Sequence, residues 1–464
     1  MSDPVTAPIA IQPGRPSWRE LLALFRVRNY RAVVIALFAS SIAFWMSRVA
    51  IDWLMLELTG NLALVGLAVT LQFGPTIVFG ALAGVVADRF PRRAIVVITQ
   101  TVWVLSMGAL AVLAILGMAE VWLVFVVALV AGVAGAIEGP ARGALLGQIV
   151  DPARLRTAVS INAGVFHIGG LIGPAISGIL IGFVGSGWSI AAGVVVTLVG
   201  LVAFATMRTR DLTPVVRPPK GSGGVAVAVR YANRKPTIKW PIVLLFFIAT
   251  FGMTLPVLFT AAAGPTGFDT GSAGYGLYTS LAAVGAVVGA VLSAMRKSLR
   301  LRAIALLTGA YGLSILVAGV TPFYLVFLAG VTALGVFRIL FATGADAMVQ
   351  LSSNPSIRGR IIALYTVVLM GGQAAGGIIV GWIAETVGMH AAFVVAGGMP
   401  VLAALVVALI LARRHQLTLK VNLRDFRRVV RIVKRPAPSR ASTQPGASTS
   451  APSQRSPHST DSAS

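Results

Sequence analysis

Apolar residues run along this chain in long blocks broken by short polar stretches, without the strict alternation of a half-buried strand. Twelve such blocks stand out, at 32–56, 62–86, 94–117, 120–147, 157–184 and 187–207, then at 240–263, 274–295, 303–320, 323–350, 360–384 and 389–412. Each is close to the roughly 20 residues with which a helix crosses the hydrocarbon of a bilayer. The pattern predicts an all-α membrane protein of twelve transmembrane helices in two six-helix bundles. A polar stretch rich in Pro, Gly and basic residues, 208–239, separates the bundles and reads as a linker.

The loops are sorted by charge. If the N-terminus is cytoplasmic, the inner loops hold Arg89, Arg92, Arg93, Arg154, Arg156, Arg296, Lys297, Arg300, Arg302, Arg358 and Arg360, while the outer loops hold no Lys or Arg and carry Glu57, Glu120, Asp269 and Glu385. This asymmetry follows the positive-inside rule and predicts both termini and the linker on the cytoplasmic side. Segment 1–31 is then a cytoplasmic N-terminal piece, without the apolar core of a cleavable signal peptide. Segment 413–436 is basic, with Leu423, Phe426, Val430 and Val433 at helical spacing. It reads either as an amphipathic helix on the anionic inner leaflet or as a solvated basic tail. Residues 437–464 have the Ser, Pro, Thr and Ala bias of a disordered tail.

The two bundles also resemble each other. GALAGVVADRFPRRAIVV at 80–97 can be laid on GAVVGAVLSAMRKSLRLRAIAL at 285–306, and GQIVDPARLRTAVS at 147–160 on VQLSSNPSIRGRIIAL at 349–364. Duplicated halves are a common way to build a carrier whose site lies between two rocking bundles.

Composition agrees with this reading: 57% of the residues are hydrophobic and 11% charged. Cysteine is absent, which excludes disulfides, thiolate catalysis and cysteine-based metal sites. No metal site or cofactor is expected. The +24 formal charge is spread over many short loops and the tail rather than gathered into a groove with stacking aromatics, so it does not point to nucleic acid. The four histidines are dispersed, no nucleophile motif or phosphate-binding loop occurs, and an enzyme is not expected.

Three motifs carry a family resemblance. Gly84, Asp88, Arg89, Arg92 and Arg93 resemble the loop signature between the second and third helices of the major facilitator superfamily, with Pro91 where that pattern often has Gly. On the fifth block, Gly169, Gly173, Pro174 and Gly178 resemble the antiporter signature of that superfamily, with Ser160 and Ser177 in place of two glycines. FRVRNYR at 25–31, LMLELTG at 54–60 and EGPARGALLGQIV at 138–150 together resemble the bacterial drug-exporter and enterobactin-exporter branch. The resemblance spans about 25–412. It implies the major facilitator fold, a bacterial cytoplasmic-membrane location, alternating access, and a central cavity lined by the first, fourth, seventh and tenth helices. It further implies that Asp88 locks the cytoplasmic ends of the halves, with Arg92, Arg358 or Arg360 as partners.

Few charges fall inside the blocks. Arg48 and Asp52 lie one turn apart on the first, in a stripe with Ser41 and Trp45; Glu138 and Arg142 repeat that spacing on the fourth; Arg338 and Asp346 lie on the tenth. Charges at membrane depth are costly, and so face a wet cavity or a partner. They are candidates for substrate contact or proton coupling, or else neutralising ion pairs. His167, Gln72 and Pro75 are weaker candidates, and the seventh block offers Thr254 and Thr260 beside Pro256. The expectation is a proton-driven exporter of a small amphipathic molecule such as a drug or siderophore, energised by the proton gradient. A facilitated importer or uniporter of the same fold is the alternative, with a channel or lipid-handling protein third.

Overall fold

The computed structural model describes residues 9–10, 24–208, 210, 225–265, 267–296, 298–354, 357–414, 417–421 and 430–434; within its helices the side chains of Ala81, Gly84, Asp88, Ser160 and His167, among others, lie outside the description. Among the described residues twelve helices are long and apolar enough to cross a membrane. The first six are Arg28–Thr59, Leu62–Arg89, Arg92–Ile115, Val121–Ile149, Pro152–Val184 and Ser186–Ala205. The seventh span is Pro236–Ala263, and the others are Gly271–Ala294, Leu301–Val320, Tyr324–Ser352, Arg358–Thr386 and Met389–Arg414. Every predicted block coincides with one span.

Local chemistry fixes where the spans begin and end. Gly60 closes the first span in the left-handed conformation, φ 62°, and Asn61 then caps the second by accepting from the Leu64 amide at 3.1 Å. Pro152 and Pro236 stand at first helical positions, where no amide hydrogen is needed. The seventh span is not one continuous helix. It runs as Pro236–Phe247, a π turn at Ile248–Gly252 and a last helix Leu255–Ala263, because Pro256 denies an amide to the preceding turn. Tyr311 of the ninth span takes up part of the deficit by donating to the Gly252 carbonyl at 2.7 Å. The linker is partly helical, Val225–Arg234, and the span begins four residues before the predicted block.

The chain divides into two compact units, Met1–Ala408 and Leu409–Ser464. In the first, packing repeats between the halves. The second span packs on the fourth, and the third on the fourth, just as the eighth packs on the tenth and the ninth on the tenth. The halves join along two seams, second span to eleventh and fifth to eighth, which are equivalent when the halves are exchanged. The sequence repeat is therefore a structural one.

In the second unit, a correction is needed. The described residues of the basic segment 413–436 that follow the last span form antiparallel strands, Leu417–Val421 paired with Val430–Lys434, not an amphipathic helix. The reason is visible in Leu417, Leu419 and Val421, which alternate with Thr418 and Lys420, and in Val430 and Ile432 on either side of Arg431. Leu423 and Phe426 lie outside the described residues, as does the tail 437–464.

Candidate functional site

The seams are tight at one end of the bundle. A Cβ at Gly377 of the eleventh span would lie 2.5 Å from the Gly66 carbonyl oxygen of the second, and one at Gly381 would lie 2.9 Å from that of Leu62. On the other seam a Cβ at Gly276 would stand 2.9 Å from the Gly178 Cα. Only glycine permits backbones to meet this closely. Hydrogen bonds cross the second-to-eleventh seam: Thr70 donates to the Ala374 carbonyl at 2.6 Å, and the Leu62 amide donates to Glu385 Oε2 at 2.8 Å. This end carries the loops with Glu57, Glu120, Asp269 and Glu385 and is closed.

Behind the seal lies a cavity of about 280 Å³. Its wall includes Arg48, Gln72, Gln100, Trp103, Glu138 and Arg142, and every lining residue belongs to the N-terminal half. Toward the basic end, Gly135, Gly139, Gly143 and Gly147 follow one another at intervals of one turn on the fourth span, and a Cβ on any of them would meet no atom within 4 Å. Gly135 and Gly139 line the cavity, so the stripe extends it toward that end.

Two charged clusters differ in how they are satisfied. Glu138 forms an ion pair with Arg142 and also accepts from Thr99 Oγ1 at 3.3 Å and Gln100 Nε2 at 3.1 Å, while the Arg142 guanidinium lies 5.5 Å from the Phe204 ring centre. Both side chains keep some exposure, 15% and 19%. The second cluster is drier. Arg48 is 4% exposed and Asp52 fully buried. Although one turn apart, they do not close an ion pair: Asp52 Oδ1 accepts from Gln72 Nε2 at 3.3 Å, whereas Arg48 lies over the Phe73 ring at 4.3 Å and near Trp45 at 5.6 Å. Asp52 Oδ2 and Arg48 Nε have no partner among the described residues.

The tenth-span candidates separate from this cavity. Arg338 is half-buried with its Nε unpartnered, and Asp346 accepts from Gln350 at 2.9 Å further along the helix. Neither lines the cavity. Thr254 and Thr260 are buried and donate to the Phe251 and Pro256 carbonyls of their own span, which removes them as wall groups. The cavity is lined by the N-terminal half, and residues of the seventh and tenth spans are not among its lining.

The described residues of the two motifs make packing and capping contacts. A Cβ at Gly173 would stand 2.6 Å from the Ile42 carbonyl and 2.8 Å from the Trp45 Cβ, and Gly169 abuts Ser41, whose hydroxyl donates to the Phe166 carbonyl at 2.9 Å. Gly169 and Gly173 therefore hold the fifth span against the first, Gly178 serves the seam, and Pro174 is buried in the same helix. In the loop motif, Arg93 donates to the Phe204 and Ala205 carbonyls at 3.1 and 2.6 Å, capping the sixth span, and Arg92 reaches the Ala144 carbonyl at 3.4 Å. Arg89 is exposed, Arg358 donates to the Ser353 carbonyl at 3.3 Å, and the Gly84 and Asp88 side chains lie outside the described residues. Sequence reasoning missed Thr99, Gln100 and Phe73. A polar pair at one level of an apolar span was the available signal for the first two; for Phe73 there was none.

A family profile described as transmembrane secretion effector matches residues 20–425. The chain is 26% identical over 377 residues to the enterobactin exporter EntS of Salmonella typhimurium, covering 79% of this chain and 89% of that one. Among solved structures, a POT family transporter in complex with 5-aminolevulinic acid superposes with a TM-score of 0.69 at 12% identity, covering 83% of this chain and 96% of that one. A bacterial homologue of the lysosomal transporter Spinster, in an inward-facing and unoccupied conformation, gives 0.60 at 17% identity, with 83% and 96% covered.

Proposed function

The chain belongs to the transmembrane secretion effector family of major facilitator transporters, and from that premise we propose that it exports a small amphipathic molecule, of the siderophore kind, by proton antiport with alternating access. The observation that carries alternating access is the contrast between the two ends: glycine seams close one, and an open glycine stripe leads from the cavity toward the other. By the positive-inside rule the open, basic end is cytoplasmic, with both termini on that side, so the conformation described accepts its load from the cell interior. The enterobactin-exporter relatives support the outward direction and the substrate kind.

Coupling rests on carboxylates that change partners or protons between the two states. Asp52 is the first candidate, because one of its oxygens has no donor facing it. Glu138 is already neutralised by Arg142 and serves to hold the cavity wall. Proton entry at Asp52 biases the carrier only if it stabilises one orientation over the other. The experiment is twofold. A deletion strain and its complemented partner are compared for siderophore in the medium, and equal secretion would refute the export reading. Reconstituted vesicles are then assayed with and without a pH gradient, and transport indifferent to its collapse would refute antiport.

A further inference from the structure

Gln100 of the third span lines the N-terminal cavity and is 3% exposed. Its Nε2 donates to Ser40 Oγ of the first span at 2.8 Å and to Glu138 Oε1 of the fourth at 3.1 Å, so both amide hydrogens are used. The amide cannot turn over, because that would set its carbonyl oxygen against a carboxylate that only accepts. Arg142 and Thr99 both donate to Glu138 and hold that carboxylate in place. Gln100 Oε1 is left buried, with no partner among the described residues. A buried carbonyl oxygen without a donor costs free energy, so the cavity wall carries a fixed acceptor that a ligand can satisfy.

We propose that Gln100 Oε1 is the specificity contact for an uncharged hydrogen-bond donor, a hydroxyl or N–H, on the transported molecule, whose apolar body lies against Phe44, Trp103, Met107 and Phe166 of the same wall. A cationic donor is disfavoured. The charged side chains of the wall are Arg48, Arg142 and Glu138, and the one carboxylate among them is already engaged by Arg142. A site built to receive an O–H rejects an analogue that lacks it, because its own carbonyl is then left unpaired. Gln100 touches the ligand, and Glu138 is a positioning residue that acts through it. The proposal rests on the export reading and deepens it by naming a group the substrate carries, but its test does not depend on direction.

The test is equilibrium dialysis of the full-length protein in nanodiscs against 2-naphthol and 2-fluoronaphthalene, a near-isostere without the proton, with empty nanodiscs as the blank. The naphthol is expected to bind about five- to tenfold more tightly. The cation 2-naphthylmethylammonium is expected to bind no more tightly than the fluoro compound. Gln100→Met should erase the preference for the naphthol. Where that variant does not fold or binds neither probe, Glu138→Gln combined with Arg142→Met takes its place. This pair spares the stranded arginine and frees the Gln100 amide to turn, so the preference should fall severalfold. Equal binding of naphthol and fluoronaphthalene by the wild-type protein overturns the proposal, as does tightest binding of the ammonium. An undiminished preference in Gln100→Met, or in the pair that replaces it, overturns it too. Failure of siderophore secretion in cells, with the naphthol preference intact, would count against the export reading alone.

Discussion

The sealed end can be forced open by one methyl group. In Gly377→Ala the new Cβ would stand 2.5 Å from the Gly66 carbonyl oxygen, about 1 Å inside the ~3.5 Å at which such atoms rest. Both partners are backbone, so no side chain can turn aside. The two spans must separate, stretching the Thr70 to Ala374 and Leu62 to Glu385 hydrogen bonds on the same seam. Overpacking of this kind costs about 1–3 kcal/mol. If that cost falls only on the state with this end closed, the equilibrium moves toward opening by roughly 5- to 150-fold. The chain has no cysteine, so Ile51→Cys places a single thiol on the cavity wall. The assay is its labelling rate with a membrane-impermeant maleimide added outside intact cells. Gly377→Ala should raise that rate at least fivefold. Gly74→Ala on the second span, where a Cβ meets no atom within 4 Å, should leave it unchanged. Equal rates in Gly377→Ala and the parent, at equal expression, would refute the seam as the barrier.

Other outcomes follow from the same geometry. Glu138→Gln strands Arg142 in the wall and should lower stability by about 3–5 kcal/mol, with most of the loss recovered when Arg142→Met is added; thermal unfolding in detergent reads both. Asp52→Asn should leave substrate binding intact and abolish the dependence of vesicle transport on a pH gradient, and a retained dependence would move coupling to Glu138 or Asp346. Asp88→Asn should impair transport while the protein still reaches the membrane, measured as secretion at matched membrane abundance. A tag inserted in the 208–224 part of the linker should be labelled only after the membrane is permeabilised, whereas labelling in intact cells would break the twelve-span topology.

How much of this was legible in the sequence depends on the length scale of the signal. The spans were, because a membrane helix announces itself by some twenty consecutive apolar residues. The ion pair of Glu138 with Arg142 was legible too, as a one-turn spacing. The same spacing misled for Arg48 and Asp52, because aromatic rings and Gln72 from a neighbouring span outcompete the local partner. Glycine spacing on the fifth span foretold close approach, yet not which neighbour it approaches; three glycines of one motif serve two different helices. The basic segment after the last span was read at helical period from Leu423, Phe426, Val430 and Val433, when the period-two alternation of Leu417, Leu419 and Val421 lay just before it. Arg338 and Asp346 share a helix but not a site, since eight residues along a helix span about 12 Å.

The arrangement of contacts also decides which groups sense a change of state. The Glu138 network, with Thr99, Gln100 and Arg142, reaches Ser40 of the first span and Phe204 of the sixth but stays within the N-terminal half, so under the proposed alternating access it would travel intact. Under the same proposal the seams at second to eleventh and fifth to eighth, which are equivalent under exchange of the halves, would part together. Glycine contacts store no side-chain energy to bias that motion, and the hydrogen bonds of Thr70 and Leu62 resist it only at the sealed end. Arg48 and Asp52, by contrast, are buried with one polar atom each unpartnered among the described residues, so a partner gained in only one orientation would bias the state. A proton or ligand that satisfies these atoms in one orientation better than in the other supplies the difference that any carrier needs in order to couple binding to movement.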